Sequence, residues 1–288
     1  MKNFKNRLLF LFLFIALCYV VTDFAFATGN NEKKANTQAH TISVGGSTSV
    51  TPLMELFQAE YEKANSNIKI TISSTGSGDG IKGATAGTYE IGMSSRELTP
   101  NEIGTGLKPI VIAIDGIAVI LNNKSPISNL NMNQVMEIYT GKITHWEQLG
   151  LVAKGKTGGI AVVSRESGSG TRSAFQELLK LSDSDIVPNA IIFDGTGAVK
   201  STVAGNVDAI GYISLGSVDN SIKAISINGV NPSNYNVING SYKISRPFIL
   251  VFKSGVPLNP ATKEFLAWTL SDAGQNIVNK NWISVGKF

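Results

Sequence analysis

The chain has 288 residues, of which 43% are hydrophobic and 16% charged, so it is long enough for one large domain or two lobes with a sizeable core. The formal net charge is +4, and three of the bases and one of the acids lie before Thr28. The rest of the chain is therefore nearly neutral and lacks the basic field typical of nucleic-acid-binding proteins. The single cysteine, Cys18, excludes an intramolecular disulfide.

Residues 1–27 have the organisation of a signal peptide. Basic "MKNFKNR" precedes apolar "LLFLFLFIALCYVV", and "AFA" at residues 25–27 fits the small-x-small cleavage rule. The apolar run is shorter than a bilayer span, which favours export over a transmembrane anchor. Lipidation at Cys18 stays open as an alternative to cleavage after Ala27, although Leu17 is not the small residue that a lipobox places before its cysteine.

Residues 28–39 are polar and lack periodicity, which predicts a flexible linker. The folded part then begins with a strand in "HTISVGG", a helix in "TPLMELFQAEYEKAN" with Pro52 in its first turn, and a strand in "IKITISS". A short helix in "GSGDGIKGATAG" and a strand in "YEIGMSS" follow. The run "LKPIVIAIDGIAVILNN" is β-rich, and we expect Asp115–Gly116 to break it.

The second half of the chain continues the alternation of helices and strands. "NMNQVMEIYTGKITHWEQLG" predicts helix, turn and helix, "GGIAVVSRES" a strand, and "TRSAFQELLKL" a helix that starts near Thr171. "AVKSTVAGN" predicts a helix, "AIGYIS" and "RPFILVFKS" predict strands, and "NPATKEFLAWTLSDAGQNIVNKN" predicts two closing helices. This alternation indicates an α/β architecture with largely parallel sheets.

Three loops share one pattern that points to anion binding. "GGSTSV" (45–50), "STGSGDG" (74–80) and "SRESGSGT" (164–171) each follow a predicted strand, precede a predicted helix and are rich in glycine and hydroxyl residues. "MSSRE" (93–97) adds hydroxyls and Arg96 after another strand. Helix N-termini, hydroxyls and arginines at the carboxyl ends of strands bind oxyanions. Coincident surface turns are the alternative, which three loops with the same pattern make the weaker explanation.

Other chemistry is less well supported. "GLVAKGKT" (150–157) has Walker A spacing, but a predicted helix precedes it and a strand follows, the reverse of a P-loop. "GDGIKG" (78–83) has the glycine spacing of a dinucleotide motif and follows a strand, but its predicted helix is short and the next strand lacks a well-placed terminal acid. His40 and His145 are isolated, so we expect structural or surface roles and no metal site. Without a histidine base or a G-x-S-x-G motif, a hydrolytic triad is disfavoured.

In order along the chain, "ISVGGSTSVTPL", "GSGDGIKGATAG", "IGMSSREL", "DGIAVILNN", "VMEIYTGKITHWEQLG", "SRESGSGTR", "AIGYISLG" and "RPFILVFK" resemble the phosphate-binding proteins of the high-affinity phosphate ABC importer. The resemblance covers nearly all of the chain beyond the linker. It implies a two-lobed periplasmic-binding-protein fold of type II, in which each lobe is a mostly parallel sheet flanked by helices and the chain crosses between lobes twice. Residues 40–114 and 246–288 would form the first lobe, and residues 115–245 the second.

The resemblance also implies the ligand contacts. Hydroxyls, backbone N–H groups and one principal arginine would surround dehydrated phosphate, from Thr48, Ser49, Val50, Ser77, Arg165, Ser169, Gly170 and Thr171.

One position departs from the family pattern. Well-studied members carry an aspartate that accepts the phosphate proton where this chain has Ser95, followed by Arg96. We expect Asp115 or Glu166 to replace that acceptor. Asp115 is the first candidate, and a simple turn residue is an equally open interpretation of it. Glu166 is the second candidate, and its alternative role is only to orient Arg165.

The predicted function is that of an exported receptor in the periplasm or on the outer face of the membrane, not an enzyme. It would bind inorganic phosphate as a monomer without a cofactor or metal, and would deliver it to the permease subunits of an ABC importer. Alternatives are a receptor for another tetrahedral oxyanion (sulfate, molybdate or a phosphonate), an exported phosphatase or esterase, and a surface protein that has lost its ligand.

Overall fold

The computed structural model describes residues 39–150 and 158–286. The predicted signal peptide, Cys18, the linker up to residue 38 and the Walker-like segment beyond Gly150 lie outside the described residues. The helices are α1 (Thr51–Ala64), α2 (Ser77–Ala86), α3 (Pro100–Gly104), α4 (Met132–Tyr139), α5 (Gly170–Leu179), α6 (Thr196–Gly205), α7 (Asn234–Ile238), α8 (Pro260–Thr269) and α9 (Asp272–Val278). The strands are β1 (His40–Gly46), β2 (Ile68–Ser74), β3 (Ile91–Ser94), β4 (Leu107–Asn122), β5 (Asn129–Leu130), β6 (Ala161–Arg165), β7 (Ile191–Phe193), β8 (Ala209–Ser214), β9 (Ile222–Ala224), β10 (Ser226–Ile227), β11 (Ser245–Lys253) and β12 (Ile283–Ser284).

The principal sheet has the strand order β2-β1-β3-β11-β4-β8-β6-β7. β1 runs parallel to β2 and β3, and β6 runs parallel to β7 and β8, whereas β4 and β11 run antiparallel to their neighbours. The first part of β4 pairs with β11, and its second part, from Ile117, pairs with β8. One strand therefore belongs to both halves of the fold, and β11 provides the second crossing.

Two main hydrophobic cores lie on either side of this junction. The first is formed by residues between Ile42 and Ala113 and between Phe248 and Trp282, and the second by residues between Ile117 and Ile244. The predicted α/β, two-lobed class is confirmed. The residue limits of the lobes stay a prediction.

The expected break in β4 at Asp115–Gly116 is wrong. In β4, Asp115 pairs with Arg246 of β11 and Gly116 pairs with Ser245, so the strand continues without interruption. An acid is tolerated inside this buried strand because its carboxylate has partners there, the closest being Ser214 at 2.8 Å and the Arg246 guanidinium at 3.1 Å.

The tryptophans have packing roles, and the two histidines lie in a polar contact or at the surface. Trp146 and Trp282 are buried, and Trp268 packs edge-on against Tyr61. His40 contacts Glu90 and Thr262 at the start of β1, and His145 lies at the surface. None of the described helices is both long and apolar enough to cross a membrane.

Candidate anion site

The loop between β1 and α1 brings three hydroxyls to the carboxyl end of the sheet. Gly46 has a positive φ of 134°, and a Cβ there would lie 2.3 Å from the Met93 carbonyl oxygen. Only glycine permits this approach of β1 to β3. The Ser47 hydroxyl then donates to Ser95 Oγ at 2.9 Å. Thr48 and Ser49 follow, and Val50 N–H donates to the Ser47 carbonyl at 3.1 Å.

Helix α2 adds a further serine from the neighbouring loop. Ser77 is its first residue, and its Oγ accepts from Ser95 N–H at 3.1 Å and lies 3.3 Å from Ser95 Oγ. Ser47, Ser77 and Ser95 are all buried. They form a continuous row of hydroxyls on the first side of the cleft.

Arg165 supplies the positive charge from the end of β6. Its side chain is 2% exposed, and its Nε and Nη2 each lie 2.6 Å from an oxygen of Glu166. This two-point contact fixes the plane of the guanidinium. Nη2 also donates to Thr48 Oγ1 at 3.0 Å, which links the arginine to the β1–α1 loop.

The N-terminus of α5 closes the cluster from the second side. Ser169 caps the helix by accepting from Arg172 N–H at 3.2 Å, and Thr171 Oγ1 lies 2.8 Å from Ser49 Oγ. A Cβ on Gly170 would lie 2.4 Å from Ser77 Oγ, so only glycine fits between the two sides. Hydroxyls and helix N-termini from both halves of the fold therefore meet at one place.

Thr196, the first residue of α6, also belongs to the cluster, although it was not among the residues predicted from the sequence. Its Oγ1 lies 3.2 Å from both Thr48 Oγ1 and Ser49 Oγ. The preceding segment, "DGTG" (194–197), has the same glycine-and-hydroxyl pattern as the other loops. It escaped notice because β7 has only three residues, none of them fully buried, and was not predicted as a strand.

Arg96 lies apart from this cluster. Its Nη1 and Nη2 donate to the two oxygens of Glu102 at 2.8 and 2.7 Å, and this contact lowers the pKa of Glu102 to about 2. Glu102 also caps α3 together with Thr99. The guanidinium of Arg96 is thus engaged by a neighbouring helix.

Asp115 likewise has its own partners at the crossing strands. It is 1% exposed and contacts Arg246, Ser214 Oγ and, at 3.4 Å, Gly216 N–H. Burial raises its pKa to about 6, against the opposing effects of Arg246 and the hydrogen bonds. Its role as a proton acceptor stays a prediction, as does that of Glu166, which holds Arg165.

The assembled groups suit a small oxyanion. Buried hydroxyls, helix N-termini and one immobilised guanidinium converge, and a cleft of about 480 Å³, bounded by Thr48, Glu166 and Gly195 among others, opens beside them. Within the described ranges, no group of three or more His, Cys, Asp or Glu side chains could hold a metal ion.

The chain is similar to proteins of known family. Residues 31–273 match the model of the PBP superfamily domain. The phosphate-binding protein PstS of Borreliella burgdorferi is 31% identical over 249 residues, which are 83% of this chain and 88% of that protein.

Two solved structures are similar as well. A phosphate ABC transporter substrate-binding protein from Clostridium perfringens, solved with bound phosphate, has 45% identity and a TM-score of 0.82, covering 85% of this chain and 100% of its own. An ABC-type phosphate transport receptor from Vibrio cholerae has 34% identity and a TM-score of 0.69, with the same coverage.

Proposed function

The chain belongs to the PstS-like phosphate-binding proteins of the PBP superfamily, and from that premise we propose that it binds inorganic phosphate and delivers it to an ABC importer. The observation that carries the proposal is the position of Arg165. This buried guanidinium is held by Glu166 and points at Thr48, in a cluster where Ser49 and Thr171 meet from opposite sides of the cleft.

The two sides of the cleft provide a mechanism for uptake and release. Gly78 N–H donates to the Gly168 carbonyl across the cleft at 2.9 Å, and the hydroxyls of Ser49 and Thr171 lie in contact. An anion that accepts hydrogen bonds from both sides binds the closed arrangement better than an open one, so it favours closure. Opening separates the two sets of donors and weakens the hold on the ligand.

We base the cofactor requirement, location, oligomeric state, partner and ligand contacts on membership of the family. The protein acts without a cofactor and catalyses no reaction, because its task ends with transfer of an unchanged anion. It works outside the cytoplasmic membrane, as a monomer, and its closed form docks on the permease subunits. The ligand contacts are those of Thr48, Ser49, Val50, Ser77, Ser95, Arg165, Ser169, Gly170 and Thr171.

Titration calorimetry on the exported protein, freed of ligand by unfolding and refolding, tests this proposal. Phosphate and sulfate are titrated in parallel at pH 6 and pH 8, and we expect tight phosphate binding with no heat from sulfate. Arg165→Met should abolish measurable binding, because a dianion would lose its only guanidinium partner in the cluster formed by the described residues.

Arg96→Met is the matched control, since Arg96 pairs with Glu102 outside the cluster. It should bind phosphate as the unaltered protein does. Sulfate binding of equal strength would indicate a receptor for another tetrahedral oxyanion, and a protein that binds neither anion would contradict the proposal.

A further inference from the structure

Thr196 occupies a central position among the proposed ligand contacts. Its Oγ1 lies 3.2 Å from Thr48 Oγ1, 3.2 Å from Ser49 Oγ and 3.5 Å from Arg165 Nη1. An anion shared by Ser49 and Arg165 therefore lies within reach of the same hydroxyl. Thr196 is only 7% exposed, so its hydroxyl has few alternatives to partners inside the cleft.

The backbone before Thr196 is shaped to place it there. Gly195 has a φ of 88°, a conformation that strongly favours glycine, and it precedes the ten-residue helix α6. Gly195 N–H lies 3.4 Å from Glu166 Oε2, the carboxylate that also holds Arg165. Glu166 thus contacts both the start of α6 and the Arg165 guanidinium, and fixes their relative position.

The hydrogen-bonding capacity of Thr196 fits this position. Arg165 Nη1 donates to the oxygen of the hydroxyl, so the Thr196 proton can be directed to Thr48, to Ser49 or to an anion bound between them. A hydroxyl can also accept, so it can serve either a bare or a protonated oxygen of a tetrahedral anion. A carboxylate can serve only a protonated one.

From these contacts we infer that Thr196 is a further phosphate-binding residue, on a loop to which the resemblance assigns no ligand contact. The inference rests on the proposed function, because it names an additional contact within the same site. It also supplies a hydroxyl to a cluster in which Ser95 stands where relatives carry an aspartate.

Three variants of the exported protein test the inference by phosphate calorimetry. Thr196→Val keeps the shape but removes the hydroxyl, and should weaken phosphate binding roughly 10- to 100-fold, the loss expected for one hydrogen bond to a charged ligand. Thr196→Ser restores the hydroxyl and should bind within about threefold of the unaltered protein. Thr262→Val is the matched control.

Thr262 is another buried threonine in the first turn of a helix, α8, where its hydroxyl donates to Glu90 outside the cleft. Removal of this hydroxyl in Thr262→Val should leave phosphate affinity unchanged. Thermal unfolding without ligand shows whether each variant is folded. The melting temperature should be the same for Thr196→Val and Thr196→Ser.

The outcomes separate this inference from the proposed function. If the unaltered protein binds phosphate and Thr196→Val binds it equally well, Thr196 is only a structural contact and the inference is overturned alone. Equal weakening by Thr196→Val and Thr196→Ser would also overturn it, since the hydroxyl would then not be the cause. If the unaltered protein binds no phosphate, the proposed function fails and the inference with it.

Discussion

Gly170 shows how a single missing side chain allows the two sides of the cleft to meet. A Cβ at this position would lie 2.4 Å from Ser77 Oγ and 2.7 Å from Ser95 Oγ, both on the opposite side. Gly170→Ala should therefore weaken phosphate binding by about 5- to 150-fold, corresponding to an overpacking cost of about 1–3 kcal/mol. Calorimetry measures the change.

Gly205→Ala provides the control for this prediction. A Cβ on Gly205, at the end of α6, would meet nothing within 4 Å. This variant should keep its phosphate affinity. If Gly170→Ala also kept it, the close contact across the cleft would not be part of the binding conformation.

At the level of elements, the cap of α5 combines a structural contact with a proposed ligand contact. Ser169 Oγ accepts from Arg172 N–H, so its proton remains available to an anion. Ser169→Ala should lower the free energy of unfolding by about 1 kcal/mol, as for other lost caps, and should also weaken phosphate binding.

Ser271 caps α9 in the same way, accepting from Gly274 N–H at 3.4 Å. Ser271→Ala should show a loss of stability in denaturant unfolding of the same order, but unchanged phosphate affinity. Equal affinity losses in both variants would mean that capping, and not donation to the ligand, explains the effect at Ser169.

The elements that could be predicted from sequence are those with a local signal. α1 has Pro52 in its first turn and β1 and β2 alternate, so the type of each element followed from local patterns alone. The continuity of β4 could not be predicted from the sequence, because Asp115 is stabilised by Arg246, 131 positions further along the chain. Thr196 was missed for a related reason: the short strand that positions its loop carries too few buried residues to give a pattern.

The separation of Arg96 from the cluster has a local cause that sequence reasoning overlooked. "TPNE" (99–102) forms a capping box, and Glu102 at its end captures the arginine. The glycine-and-hydroxyl loops meet in the structure, as their shared pattern predicts. The direction of the Arg96 side chain depends on Glu102, which that pattern does not include.

At the scale of the whole molecule, the Asp115–Arg246 pair joins the two strands that cross between the halves. Both side chains are almost fully buried. Arg246→Met leaves the buried Asp115 carboxylate without its charge partner, and should lower the free energy of unfolding at pH 8 by about 3–5 kcal/mol. Denaturant unfolding measures the loss.

The double variant Asp115→Asn with Arg246→Met removes both charges and should recover much of that stability. A double variant no more stable than Arg246→Met would show that the pair is not an energetic unit. The same two proteins can be titrated with phosphate and sulfate, which tests the predicted proton-accepting role of Asp115.

The same pair makes stability depend on pH in a defined direction. Burial raises the pKa of Asp115 to about 6 from the ordinary value of 3.8, so the folded protein holds this proton more tightly than the unfolded chain. Its contribution to stability is fully present below pH 3.8 and is lost as the pH rises through about 6. The free energy of unfolding, relative to the double variant, should therefore fall between pH 4 and pH 7. A difference that rises over this range would contradict the assigned pKa direction.

The measurement that tests the central claim most directly is a crystal structure of residues 28–288 grown with phosphate and without sulfate. We predict one phosphate in the cleft, with its oxygens within hydrogen-bonding distance of Ser49, Arg165, Thr171 and Thr196. Phosphate bound elsewhere, or a cleft closed over Arg165 with no anion in it, would contradict the account.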